Sequence, residues 1–327
     1  MAHRCRECFI PEDYPRVKLN RGVCNLCSAI TKKQIENSRL IREKSRLEFQ
    51  DILKKRRKAK YDCVVAFSGG KDSSYLLWYL VKEYGLNPLA VTVDTGHLGS
   101  VVLDNVYLVT KKLKVDYEII DAVFLFKIIY KKAFKEGFFS ERQGLPCAIC
   151  SQLVPNIVVN FALKKDIPLV MNGKFDPENP RLFDVDTQDD ITNIKKGFFG
   201  IISNARFSSL VYASREKKSV LPQIISPLNT IDYRENDAIR VLSKALDIKD
   251  PKQFYSLNTL CFISLVTIFL FKKKLGFNPY YEDVSRLIRW GVCDRSKVKR
   301  ELEETERRIA EDPLVRNSIC RFLESLL

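Results

Sequence analysis

The apolar run Cys63-Val64-Val65-Ala66-Phe67 passes directly into Ser68-Gly69-Gly70-Lys71-Asp72-Ser73, and a helical stretch, Ser74 to Leu80, follows at once. A buried strand, a glycine-rich turn and a helix in that order restrict a chain to few folds, because the helix must cross back over the sheet that holds the strand. The turn also has the chemistry of a phosphate cradle. Gly69 and Gly70 let backbone N–H groups approach an anion closely. Ser68 and Ser73 offer hydroxyl donors, Lys71 a positive charge, and the helix N-terminus aims its dipole at the same point. The spacing is not the Walker pattern G-x-x-x-x-G-K-S/T.

Downstream, short apolar runs alternate with helical stretches. Strands are predicted at 63–67, 89–93, 117–120 and 168–171, and helices at 75–84, 101–113 and 154–164. Repeated β–α units predict an α/β fold with a parallel sheet and helices on both faces, binding ligands beyond the carboxyl ends of the strands. Two features sit at such ends. Asp94 follows Val91-Thr92-Val93 and is either a nucleotide contact or a turn-forming carboxylate. Gly173, in Asn172-Gly173-Lys174, permits close backbone approach to a ligand. The stretch from Asp176 to Asp190 reads as an irregular loop. The organisation expected is a cysteine knuckle at 1–28, a charged helical linker at 29–60, a nucleotide-binding domain at 61–232 and a helical region at 233–327.

Ten cysteines in a chain with no apolar leader after Met1-Ala2-His3-Arg4-Cys5 suggest metal or redox chemistry in the cytoplasm rather than disulfides. Cys5-x-x-Cys8 and Cys24-x-x-Cys27, fifteen residues apart, have the spacing of a structural zinc site with four thiolate ligands. Cys147-x-x-Cys150 follows Gly144-Leu145-Pro146 and is a weaker signal: a redox pair, a cluster site or two small buried residues. Joined by Cys261, it would give three thiolates for a 4Fe–4S cluster with one open iron; Cys293 is the reserve ligand. Cys63 reads as core, and Cys293 and Cys320 as structural.

The chain has 327 residues, 46% hydrophobic and 29% charged, which is ordinary for a folded protein, and no apolar run reaches membrane-spanning length. Leu260 to Phe271 reads as a buried helix. The net charge of +15 fits either a polyanionic partner or a solvated basic surface, and Lys54 to Lys60 is the densest basic run. Tyr280 to Arg289 sets aromatics beside basic residues, as base stacking would need, although a helix with a solvated basic face explains it as well.

The string Ser68 to Ser73 resembles the PP-loop of the ATP pyrophosphatase superfamily, the adenine nucleotide α-hydrolase-like enzymes. The resemblance implies a PP-loop α/β domain that splits ATP between its α- and β-phosphates and adenylates a substrate oxygen. Mg²⁺ would accompany ATP, Lys71 would steady phosphate charge, and Asp72 would hold the loop or the metal. Cys5 to Pro15 with Gly22 to Cys27, and Tyr84 to Val91, are similar to N-acetyl sugar amidotransferases and related α-hydrolase-like proteins. Pro146-Cys147-Ala148-Ile149-Cys150 with a later lone cysteine is similar to cluster-bearing tRNA thiolation enzymes. The first expectation is therefore an ATP-dependent sulfurtransferase acting on tRNA, with zinc at the knuckle and a 4Fe–4S cluster on Cys147, Cys150 and Cys261. The alternative is an amidotransferase that makes an amidine on an N-acetyl sugar with ammonia from a glutaminase partner. A third reading, a non-catalytic nucleic-acid binder, fits the intact PP-loop less well. A homodimer is left open, and no membrane partner is expected.

Overall fold

The computed structural model describes residues 3–55, 59–135, 146–184, 222–246 and 261–327. The knuckle opens with two short antiparallel strands, β1 (Leu19–Asn20) and β2 (Val23–Cys24), and a single turn, α1 (Asn25–Ser28). The linker is one helix, α2 (Lys32–Lys54), started by a capping box in which Thr31 and Gln34 exchange side-chain and backbone hydrogen bonds.

Five strands then form one parallel sheet: β3 (Cys63–Ala66), β4 (Pro88–Asp94), β5 (Tyr117–Asp121), β6 (Leu169–Met171) and β7 (Gln223–Ile225). Their order is β5-β4-β3-β6-β7, with Val64 paired to Leu89 on one side and to Val170 on the other. The chain winds outward from β3 through α3 (Lys71–Tyr84) and α4 (Ser100–Leu113). It then returns through α5 (Val123–Lys135) and α6 (Pro146–Lys164) to the other side of β3. Right-handed crossovers put these two sets of helices on opposite faces.

The core records this arrangement. Cys63, Val65 and Phe67 join α3 and α4 residues such as Leu76, Leu80 and Val106 in one cluster. Val64, Leu89, Val91 and Val93 join Phe126, Ile129, Leu153 and Ile157 of α5 and α6 in another. The strands read as continuous apolar runs because both of their faces are covered. Cys63 is fully buried, as expected of a core residue.

Expected helix starts came too late. Helix α3 begins at Lys71 and α6 at Pro146, so the last residues of the glycine turn and the Cys147/Cys150 pair both lie in first helical turns. Among the described residues α6 is the one helix long and apolar enough to cross a membrane, and half of that window is buried in the protein. It is the crossover helix packed against the sheet.

The remaining helices are α7 (Glu235–Leu246), α8 (Phe262–Leu275), α9 (Tyr281–Arg289), α10 (Arg295–Glu311) and α11 (Pro313–Ser325). The knuckle packs on these rather than standing apart: Cys5, Cys8, Phe9 and Ile10 share a core with Tyr281, Val284, Val298 and Leu302. Arg4 fastens the contact, donating to the Tyr281 hydroxyl at 2.9 Å and lying over the Phe9 ring. Cys320, expected to be structural, is exposed.

Candidate active site

Strand order reverses between β4 and β6 on either side of β3, so a crevice opens at the carboxyl end of β3. Ser68 to Ser73 occupies that position. Gly69 adopts φ +67°, and a side chain there would bring Cβ to 2.6 Å from the Val102 carbonyl oxygen. The Asn105 side chain donates to the Gly69 carbonyl at 2.9 Å, so α4 supports the turn from below. The Ser68 and Ser73 hydroxyls lie 3.1 Å apart, and the Ser68 N–H donates to Ser73 Oγ at 3.2 Å. The turn is thus shaped by its own serines, and Gly70 opens α3 with no side-chain cap, which leaves the helix N-terminus open to an anion.

Gly173 follows β6 and faces this turn. A Cβ on it would meet the Ser73 backbone nitrogen at 2.9 Å and the Asp72 carbonyl carbon at 3.1 Å. The close approach that Gly173 makes in the structure is to the first turn of α3 rather than to a ligand. The next residue, Lys174, is more than half exposed and pairs with Asp184 at 3.0 Å. Asp184 also accepts from Asn172 at 2.8 Å, and Asn172 accepts from Ser226 at 2.7 Å. Asp94 uses a carboxylate oxygen to accept the Gly96 N–H at 2.8 Å, the turn-forming role.

Lys71 departs from expectation. It is only 8% exposed and turned into the protein, with Nζ 2.9 Å from Asp72 and 3.6 Å from Glu235. Burial opposes its charge, but Asp72 and Glu235 outweigh burial and hold its pKa above the ordinary lysine range.

The two cysteine groups occupy different cores. At the knuckle the sulfurs of Cys5, Cys8, Cys24 and Cys27 all lie within 4.8 Å of one another. Cys5 and Cys27 are 3.8 Å apart, and Cys8 and Cys24 3.6 Å. A tetrahedron with metal–sulfur bonds of about 2.3 Å has edges of just this size. The Cys24 and Cys27 backbone N–H groups each donate to a cysteine sulfur at 3.3 Å. Burial opposes ionisation of Cys5, yet backbone N–H groups prevail and bring its pKa down to about 7. Burial and neighbouring thiols push Cys27 upward. One cation would relieve that conflict, so the four residues fit a tetrathiolate metal site.

Cys147 and Cys150 sit in the first turns of α6. That helix precedes β6 and runs antiparallel to it, so its N-terminus lies at the same end of the sheet as the glycine turn Ser68 to Ser73. Cys261 caps α8 and bridges Leu98, four residues beyond β4, which brings it to that end as well. Burial raises the Cys150 thiol to about 12, and the charges of Cys261 and Cys147 add to the shift. Burial and Cys147 raise Cys261 in the same way. Among the described residues only the knuckle gathers three or more such ligand atoms within 4.8 Å.

Two tyrosines missed in the sequence complete this group. The Tyr280 hydroxyl lies 2.9 Å from the Cys147 sulfur, and the Tyr130 hydroxyl 3.0 Å from Cys150. Tyr280 therefore belongs to the cysteine site rather than to a base-stacking or solvated face. Cys293, the reserve ligand, is not in this group: its thiol donates to Glu235 at 3.1 Å, beside Lys71.

No family model matches the chain. It is 27% identical over 264 residues to an uncharacterized protein of Methanocaldococcus jannaschii, with 80% of each chain covered. Among solved structures it aligns with the U34-tRNA thiolase NcsA of Methanococcus maripaludis, determined with its 4Fe–4S cluster. That match has 17% identity and a TM-score of 0.38, over 95% of this chain and 89% of that one. The NH3-dependent NAD synthetase of Campylobacter jejuni aligns at 14% identity and TM-score 0.37, over 84% of this chain and 97% of the other. The NMN synthetase of Francisella tularensis aligns at 11% and 0.35, over 84% and 94%.

Proposed function

We propose that this chain is an ATP-dependent adenylating enzyme of the PP-loop kind, and specifically a sulfurtransferase that converts a carbonyl of tRNA to a thiocarbonyl. The observation that carries the reading is that the glycine turn and the Cys147/Cys150/Cys261 trio open at the same end of one parallel sheet.

The turn binds the ATP phosphates through its N–H groups and the α3 N-terminus, and Asp72 is the residue that would help hold a Mg²⁺ accompanying them. The acceptor's carbonyl oxygen attacks the α-phosphate, the bond to pyrophosphate breaks, and the oxygen now carries AMP. Sulfur then attacks the activated carbon, and AMP departs with the former carbonyl oxygen. A 4Fe–4S cluster on Cys147, Cys150 and Cys261, with one iron lacking a protein ligand, would supply sulfide for that attack. Tyr280 and Tyr130 orient the two α6 thiolates by hydrogen bonds, as groups around a metal's ligands commonly do. Cys5, Cys8, Cys24 and Cys27 would hold a zinc ion that fastens the knuckle beside α9 and α10. The net charge of +15 suits a polyanionic acceptor, and ten free cysteines suit a reducing cytoplasm.

The test is the iron, zinc and acid-labile sulfide content of protein purified without oxygen. Four irons with matching sulfide and one zinc are expected, with the iron lost in Cys147→Ala while ATP binding remains. Zinc without iron after reconstitution would overturn sulfur transfer and favour amidation with ammonia from a glutaminase partner.

A further inference from the structure

Lys71 lies in the phosphate turn, yet its ammonium is buried among carboxylates. Three carboxylate oxygens surround Nζ: Asp72 Oδ2 at 2.9 Å, Asp72 Oδ1 at 3.1 Å and Glu235 Oε2 at 3.6 Å. A lysine has three donors and no more. At 8% exposure, with both hydrogen bonds going to Asp72 and an ion pair to Glu235, its charge is engaged by carboxylates rather than by the crevice.

The acids around it are themselves fixed. Glu235, the first residue of α7, is fully buried. Its Oε1 accepts from Lys297 of α10 at 2.5 Å, and its Oε2 from the Cys293 thiol at 3.1 Å. Its backbone N–H donates to the Val292 carbonyl at 3.0 Å. Tyr233, also buried, donates its hydroxyl to Asp72 Oδ1 in a short hydrogen bond. The Asp72 side chain is the one member of the chain of contacts that reaches outward, with 39% exposure.

We infer that Lys71 is a positioning residue: together with Tyr233 and Glu235 it fixes the Asp72 carboxylate at the mouth of the turn, where it holds the magnesium of Mg·ATP. Two donors fix one carboxylate, and a buried acid anchored to α10 fixes the lysine. Buried ion pairs add little net stability, but removing one partner strands the other. The geometry of Asp72 thus depends on the helical region beyond Tyr233. The inference rests on the ATP-binding reading.

The test is isothermal titration of the full chain with ATP, once with Mg²⁺ and once with EDTA. Thermal melting serves as the check that each variant folds. For Glu235→Gln and Tyr233→Phe, a loss of about tenfold in affinity for Mg·ATP is expected, the size of one charge-assisted hydrogen bond. Affinity for ATP in EDTA should stay within twofold of the parent, a split that general loosening of the fold would not give. Lys71→Met should behave like Glu235→Gln. If Lys71→Met instead weakens ATP equally in both media while folded Glu235→Gln is silent, the lysine is a phosphate ligand and the inference is wrong. If the parent binds no ATP in either medium, the ATP reading itself falls and takes the inference with it.

Discussion

Replacing Gly173 with alanine tests whether the end of β6 and the glycine turn Ser68 to Ser73 form one rigid unit. The added methyl would sit 2.9 Å from the Ser73 nitrogen, 3.1 Å from the Asp72 carbonyl carbon and 3.2 Å from the Ser73 Cα. All three are backbone atoms in the first turn of α3, so no side chain can swing away. Either β6 or the turn must retreat by several tenths of an ångström. Overpacking of this kind costs about 1–3 kcal/mol, partly offset by the ~0.4–1 kcal/mol that alanine gains by restricting the unfolded chain. The net loss is about 1–2 kcal/mol, a fall of a few degrees in Tm. Binding should suffer more specifically, because the displaced N–H of Ser73 belongs to the turn proposed to hold the ATP phosphates, and losing a hydrogen bond to a charged group is worth about tenfold or more. Gly276→Ala is the control. Gly276 has φ +80° with nothing within 4 Å of a Cβ, so alanine there costs about 1 kcal/mol in backbone strain alone and leaves ATP binding intact. Matched melting curves and ATP titrations decide the matter. A Gly173→Ala protein that melts with the parent and binds ATP within twofold of it would refute the close-packing argument.

If the knuckle holds the proposed zinc, Cys24→Ser should remove it and, because Cys5, Cys8 and Cys24 lie in the same core as Tyr281 and Leu302, destabilise the whole protein by ~3 kcal/mol or more. Chemical unfolding with a zinc assay checks this, and an unchanged midpoint without zinc would separate knuckle from core. His97 is packed against the Tyr130, Phe262 and Phe322 rings, and burial lowers its pKa below the ordinary 6.5, with Asp94 countering only in part. The unfolded chain therefore takes up this proton more readily than the folded one. The contribution is complete above about pH 6.5 and falls as pH drops below it. His97→Gln should flatten the Tm profile between about pH 7 and 5, and an unaltered slope would assign the acid sensitivity elsewhere.

The parts of this fold legible in the sequence are those whose pattern is local. The run Cys63 to Phe67 is apolar throughout because helices cover both faces of β3, and the glycine turn after it has one structural solution. Both CxxC pairs of the knuckle could be read together because two residues between cysteines, and one hairpin, suffice to bring four sulfurs to one point. What escaped detection depends on residues far apart. Glu235 looks like any acid at the start of a helix, yet tertiary contacts make it the buried partner of Lys71 and Lys297. Tyr280 sits in a stretch that reads as amphipathic surface, but the approach of α8 to α6 brings its hydroxyl to Cys147, 133 residues earlier. Lys71 is the instructive case. Its place in the motif suggested a phosphate contact, since a sequence shows a side chain's charge and not its direction. The direction is set by the acids that reach it first, one a neighbour in the motif and the other delivered by a helix more than 160 residues away. A charged motif residue is therefore best assigned to its ligand only after the buried carboxylates around it have been counted.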